Sequence, residues 1–413
     1  MLKKYFSYLG PGLLMAGAAI GVSHLVQSTR AGADYGWQLL WIILLANLIK
    51  YPFFEFGSRY TAATGKTLLD GYHKLGKGYL LTYILANIVT SIGSIAAITF
   101  VTSALLANLM PFELHVSYWA VILVTICTLM FAKGHYHFID RFIKVLMVVL
   151  VVTTISAFSV AIYKGGVATP DFVSNTPWEL ASVAFLIALM GWMPAPIEIS
   201  TWQSLWMEAK TRDEGKAPTL KQALRDFNFG YILCAVLAIM FLGLGALVMH
   251  GSGAEFSSSG VGFAKQVVDL YTNNIGEFAR PIIAIAAFTT MFSTTITLLD
   301  AYPRSLGYAT NIMLGNGDKP YNKMRWVWTA ILYLAALIII FAFTSNIKTL
   351  VDIVTIVAFL AGPFFAYLNI RAVYSKHMPA DAKPKLWLTI LTIIGFITLV
   401  VFAVGFLVSR FIL

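Results

Sequence analysis

The chain has 413 residues, 59% of them hydrophobic and only 12% charged, with a mean hydropathy of +0.78. A soluble domain carries about 25% charged residues, so the composition excludes a soluble enzyme or binding module and reads as an all-α polytopic membrane protein. The formal net charge of +10 is spread over short loops, which fits the positive-inside rule and not a nucleic-acid surface.

Lys3 and Lys4 precede Gly10 and Pro11, and the apolar run continues with no convincing cleavage site, so a cleavable signal peptide is not expected. About 20 apolar residues cross a bilayer. Eleven such stretches occur, roughly 11–32, 37–60, 78–108, 116–133, 142–163, 178–207, 228–250, 277–302, 325–344, 348–374 and 384–408. Cys127 and Cys234 lie inside apolar runs and read as small core residues, with no disulfide implied. The charged segment 208–226 is expected to form a surface helix or linker, and the amphipathic stretch 260–273 to lie at the surface. With the N-terminus inside, 22 of the 29 Lys and Arg fall on the inner side, six outside, and Lys50 in mid-span. That bias predicts a cytoplasmic N-terminus and an external C-terminus. The whole chain reads as one membrane domain. Its two five-helix halves, about 10–165 and 177–375, have opposite orientation because an odd number of spans inverts the second. The segment 384–408 is an extra helix.

Two spans break their own pattern. The first is apolar through Ile20, breaks at Gly21-Val22-Ser23-His24, and resumes with Gln27, Ser28 and Arg30. The sixth is apolar to Met190, breaks at Gly191-Trp192-Met193-Pro194-Ala195-Pro196, and resumes with Glu198, Ser200 and Gln203. A break frees backbone donors and acceptors where lipid cannot satisfy them, so they must line a protein or water cavity. Two interrupted spans at matching positions of two halves point to a transporter with its site at the bilayer midplane.

The stretch Gly10-Pro11-Gly12-Leu13-Leu14, then Ala31-Gly32-Ala33 and Leu39-Leu40-Trp41, resembles the start of the NRAMP family of divalent-metal transporters, and Met193-Pro194 resembles its helix 6 motif. The resemblance implies a LeuT-like fold with 11 transmembrane helices, a 5+5 inverted repeat and broken helices 1 and 6. It also implies proton-coupled uptake of manganese or iron. The family's Asp-Pro-Gly-Asn aligns on Gly21, Val22, Ser23 and His24. Its ligating Met is Met193, the His after Met-Pro is Ala195, and its helix 3 acidic pair falls on Asn87 and Thr90.

The candidate substrate-binding residues are therefore Gly21, Ser23, His24, Met190, Met193, Glu198, Lys50 and Thr355. His24 and Met193 are the candidate metal ligands, imidazole suiting a borderline metal and a thioether a softer one. Lys50 and Glu198 lie at membrane depth, where a charge must face a cavity or a partner. Glu198 and Glu55 are candidates for coupling. Glu55 also stands at i, i+4 from Arg59, Arg30 from Asp34, and Asp300 from Arg304, each spacing that of a helical ion pair.

The expected function is secondary active transport of a divalent metal cation through a modified site. The alternative is a small anionic or zwitterionic organic solute, because Gly21 removes the carboxylate and leaves helix-end N–H groups. No Walker-type phosphate loop or nucleophile–base pair is evident, so neither ATP-driven transport nor enzymatic activity is expected. The expected partners are an ion or small-molecule substrate and the lipid bilayer, with no cofactor and no nucleic acid. The expected location is the inner membrane of a prokaryote. A monomer is plausible.

Overall fold

The computed structural model describes residues 10–132, 136–168, 172–179, 182–253, 257, 259–277, 280–317, 320–343 and 346–412. Lys3 and Lys4 lie outside them. The first span is α1 (Pro11–Ala19), a π-helical turn (Ser23–Ser28) and α2 (Thr29–Tyr35). There follow α3 (Leu40–Thr64), α4 (Leu68–Leu75), α5 (Lys77–Leu109), α6 (Val116–Ala132) and α7 (Tyr136–Lys164). The sixth span is split into α8 (Val183–Gly191) and α9 (Ile199–Glu214). The chain continues with α10 (Leu220–Val248), α11 (Gly260–Ile275), α12 (Arg280–Met313), α13 (Asn322–Ala342), α14 (Ile347–Val373) and α15 (Leu386–Ile412).

Among the described residues, eight helical stretches are long and apolar enough to cross a bilayer. The broken pieces α1, α8 and α9 are too short to count individually, as expected of spans interrupted at mid-depth. They pack inside a layer formed by α3, α5, α10, α12 and α14. By contrast α7, α13 and α15 turn Val148, Leu334 and Ile397 outward. Exposed aliphatic side chains on an apolar helix suit contact with lipid tails, so these elements form the outer layer. Cys127 and Cys234 are free and buried.

Two sequence expectations change in detail. The segment 208–226 is no separate surface helix. It is the end of α9 and the start of α10, joined by a short link that starts at Gly215 in a left-handed conformation (φ +66°) and ends at the Thr219–Gln222 capping box. The eighth span runs on past 302 to Met313, and within it Asp300 pairs with Arg304 along the helix and with Arg325 of α13. The amphipathic stretch forms helix α11, which buries Phe263, Ala264 and Val267 while exposing Lys265.

The end of α8 is held against α14 by a missing side chain. A Cβ on Gly191 would lie 2.0 Å from the Thr355 carbonyl oxygen. Gly191→Ala is expected to destabilise the folded protein by about 1–3 kcal/mol, the usual range for overpacking. Gly405→Ala, where a Cβ meets nothing within 4 Å, should be near neutral. Thermal unfolding of both variants in detergent checks the difference.

Candidate functional site

The break in the sixth span leaves the last carbonyls of α8 without helical partners. Pro194 and Pro196 carry no N–H, and the chain past α8 reaches back only to the Met190 carbonyl, from Trp192 and from Met193 at 3.4 Å, so it does not supply donors for all of these carbonyls. Lys50, in the middle of α3, does. Its ammonium donates to the carbonyls of Met190 at 2.6 Å, Gly191 at 2.8 Å and Ala195 at 3.3 Å. Three N–H groups meet three acceptors, and the side chain is 1% exposed. Glu198, at the start of α9 and wholly buried, lies close enough to interact electrostatically with Lys50. Its Oε1 accepts from the Tyr302 hydroxyl at 3.2 Å.

The break in the first span is closed differently. Thr294 of α12 directs its hydroxyl at the carbonyls of Gly17 (3.0 Å) and Ile20 (3.2 Å), the free end of α1. A Cβ on Gly21 would lie 2.9 Å from both the hydroxyl oxygen and the methyl of Thr294. The place where the resemblance puts a carboxylate is therefore filled from α12. Ser23 Oγ lies 2.8 Å from the Ala19 carbonyl and 2.7 Å from His24 Nδ1. His24 Nε2 is 2.9 Å from the Cys234 carbonyl, which can only accept, so Nε2 carries a proton. Both ring nitrogens are thus engaged with protein groups.

A small cavity of ≈ 20 Å³ lies between the two breaks, with Ser23, Ser94, Trp192, Ala195, Thr294 and Tyr302 among its walls. That is room for about one water molecule. Beside it, Asn87 donates to the Tyr83 hydroxyl at 3.1 Å, and that hydroxyl meets Thr201 at 3.0 Å. Thr90 faces Glu198.

Polar contacts close both ends. At one, Arg30 binds Asp352 of α14 at 2.7 Å, and Gln27 reaches Asp352 at 3.2 Å and Thr355 at 3.4 Å. The Arg30 guanidinium lies over the Phe185 ring at 4.5 Å, and its contact with Asp34 is the longer one, 3.6 Å. At the other end, Asn369 donates to the Phe53 carbonyl at 2.8 Å and Ser200 at 2.9 Å, and accepts from Tyr72. The Asp226 carboxylate accepts from the backbone of Gly10 (3.1 Å) and Gly12 (2.7 Å), capping α1.

Of the predicted site residues, Gly21, Ser23, Lys50 and Glu198 are gathered around the two breaks. Met190 enters through its carbonyl, which accepts from Lys50. Met193 is wholly buried within the break. Its peptide bond to Pro194 is cis. Thr355 stands at the Arg30 end, donating to Val351 at 2.8 Å. Glu55 is away from the breaks, fixed to Arg59, whose Nε lies 2.8 Å from its Oε2. Thr294 and Tyr302 were not foreseen, since neither a Thr nor a Tyr in a long apolar helix carries a distinctive sequence signal.

A profile of the family described as natural resistance-associated macrophage protein-like matches residues 12–409. The chain belongs to that family. The uncharacterized protein PM0681 of Pasteurella multocida is 40% identical over 410 residues, 98% of this chain and 93% of that one. The divalent metal cation transporter MntH of Staphylococcus saprophyticus is 25% identical over 413 residues, 94% of this chain and 89% of that one. The solved manganese transporter of Eremococcus coleocola, in complex with an aromatic bis-isothiourea substituted compound, is similar with a TM-score of 0.70 at 15% identity, covering 99% and 87%. The fold is LeuT-like, shared with transporters outside the family. The protein is an integral membrane transporter and not an enzyme.

Placing the family's carboxylate back in this chain requires room. Gly21→Asp is expected to cost at least about 2 kcal/mol through the clash with Thr294. Gly21→Asp combined with Thr294→Ala should recover most of that loss, because residues in contact do not add independently. Unfolding midpoints of the two singles and the double variant check the coupling; strict additivity would contradict it.

Proposed function

We propose that this family member is a secondary active transporter that moves a divalent metal cation through a modified site between its two helix breaks. The observation that carries this reading is the pair of breaks meeting at one small cavity in a chain that matches the family along nearly its whole length. In this reading Met193 and Ser23 supply ligands together with break carbonyls other than those of Met190, Gly191 and Ala195, which Lys50 holds. His24 joins them only by exchanging its bond to Cys234. Glu198 supplies the negative charge and is the coupling carboxylate, Glu55 being already bound to Arg59. The halves 10–165 and 177–375 form the inverted repeat of an 11-span domain, with 384–408 outside it. The N-terminus lies in the cytoplasm of a prokaryote, so Arg30 and Asp352 close the outer side. Proteoliposomes should take up manganese or cadmium faster with an inward proton gradient, and Glu198→Gln should abolish that stimulation. Absence of both transport and binding of manganese, cadmium and magnesium would overturn the reading.

One observation favours a second reading, a small anionic or zwitterionic organic solute. The carbonyl ends of both broken helices are already occupied, by Lys50 and by Thr294. Among the described residues no group of three or more His, Cys, Asp or Glu stands ready to hold a metal ion. A divalent ion of this kind favours carboxylate or imidazole ligands, whereas the positive ends of half-helices suit a carboxylate. A thermal-shift screen against metals and small organic acids separates the two, since a ligand of the folded state raises the melting temperature by mass action. Stabilisation by an organic acid and by no metal, lost in the Gly21→Asp, Thr294→Ala double variant, would establish the second reading.

A further inference from the structure

We propose that the carbonyls of Met190, Gly191 and Ala195 form a site for one monovalent cation, which this chain fills permanently with its own Lys50 ammonium. The inference rests on the transporter reading only for its place in a transport cycle; the cation chemistry stands without any substrate.

A lysine at membrane depth pairs with an acid or with backbone carbonyls. Among the described residues Lys50 has no carboxylate within salt-bridge distance, 4.0 Å. Its three donors go instead to three backbone oxygens at 2.6, 2.8 and 3.3 Å. Two of those oxygens end α8 and the third belongs to Ala195 within the break, so the end of the helix and the irregular backbone after it converge on one point. Carbonyls at a helix C-terminus carry partial negative charge. In channel filters, rings of backbone carbonyls replace the hydration shell of a monovalent cation. The spacing suits a large monovalent ion or an ammonium. Calcium draws its oxygens in to about 2.3–2.6 Å and magnesium to about 2.0–2.1 Å. Glu198, just beyond the break, supplies the compensating negative charge at longer range.

The tether has a consequence. A free ion in this position would come and go, and the order of the break would depend on its concentration. An ammonium carried on α3 cannot leave by diffusion. It holds α8 and the break residues to α3 whatever the salt outside, so the wild-type protein is indifferent to the identity of the monovalent cation.

The test removes the tethered charge and asks whether a free ion takes its place. Lys50→Ala opens the space, and Lys50→Met fills it with an apolar stem. Full-length protein in detergent is unfolded thermally in potassium chloride, ammonium chloride, sodium chloride and N-methylglucamine chloride at equal ionic strength. The wild type and Lys50→Met should melt at the same temperature in all four salts. Lys50→Ala should melt several degrees higher in potassium or ammonium than in N-methylglucamine, with a saturable dependence on concentration. If Lys50→Ala is indifferent to all four salts, or fails to fold in every one of them, the carbonyls are no cation site and Lys50 is a helix cap. An equal response in Lys50→Met would show a general salt effect and overturn the proposal as well.

Discussion

The contact on which the central architecture depends is the one between Lys50 and the end of α8. A helix that stops at mid-membrane leaves carbonyls in a place with no water and, here, only a partial following turn, Met193 reaching the Met190 carbonyl at 3.4 Å. Each such group costs free energy if left unpaired. One ammonium satisfies Met190, Gly191 and Ala195 together. The charge in turn is tolerated because it is fully hydrogen-bonded and balanced by Glu198 nearby. The irregular backbone from Trp192 to Glu198 and the buried position of Lys50 are therefore one feature seen from two elements.

The break in the first span has the same problem and a milder solution. A neutral hydroxyl, Thr294, faces the carbonyls of Gly17 and Ile20. Its side chain occupies the volume that Gly21 vacates, so the loss of a side chain at one position and the presence of Thr at another are physically linked. Had Gly21 been a carboxylate, α12 would have to stand further off or carry a smaller residue.

Closure at both ends explains the small size of the cavity. The Arg30–Asp352 pair, roofed by Phe185, ties the first span to α14. Asn369 ties the same helix α14 to α3 and α9 at the opposite end. Helix α14 is thus the common partner of both closures, and a change in its tilt bears on both. The short α1 is anchored separately, by Asp226 of α10 at its start and by Thr294 of α12 at its end.

Much of this was legible in the sequence. Composition and span length fix a helical membrane protein, because backbone groups in lipid must be satisfied within helices. Gly21-Val22-Ser23-His24 and the prolines after Gly191 mark both breaks by local chemistry alone. Mid-span depth announces that Lys50 is buried against a partner, and the i, i+4 spacing of Asp300 with Arg304 and of Glu55 with Arg59 announces their pairing. The family follows from the motifs around the first break. Which partner each polar group takes was beyond the sequence. Nothing local says that Lys50 meets carbonyls instead of an acid, that His24 turns to Cys234, that Arg30 prefers Asp352 to Asp34, or that Thr294 fills the place of a missing carboxylate. Those contacts join residues about 140 to 320 positions apart, and only the packing of the helices decides which of several chemically acceptable partners lies within 3 Å.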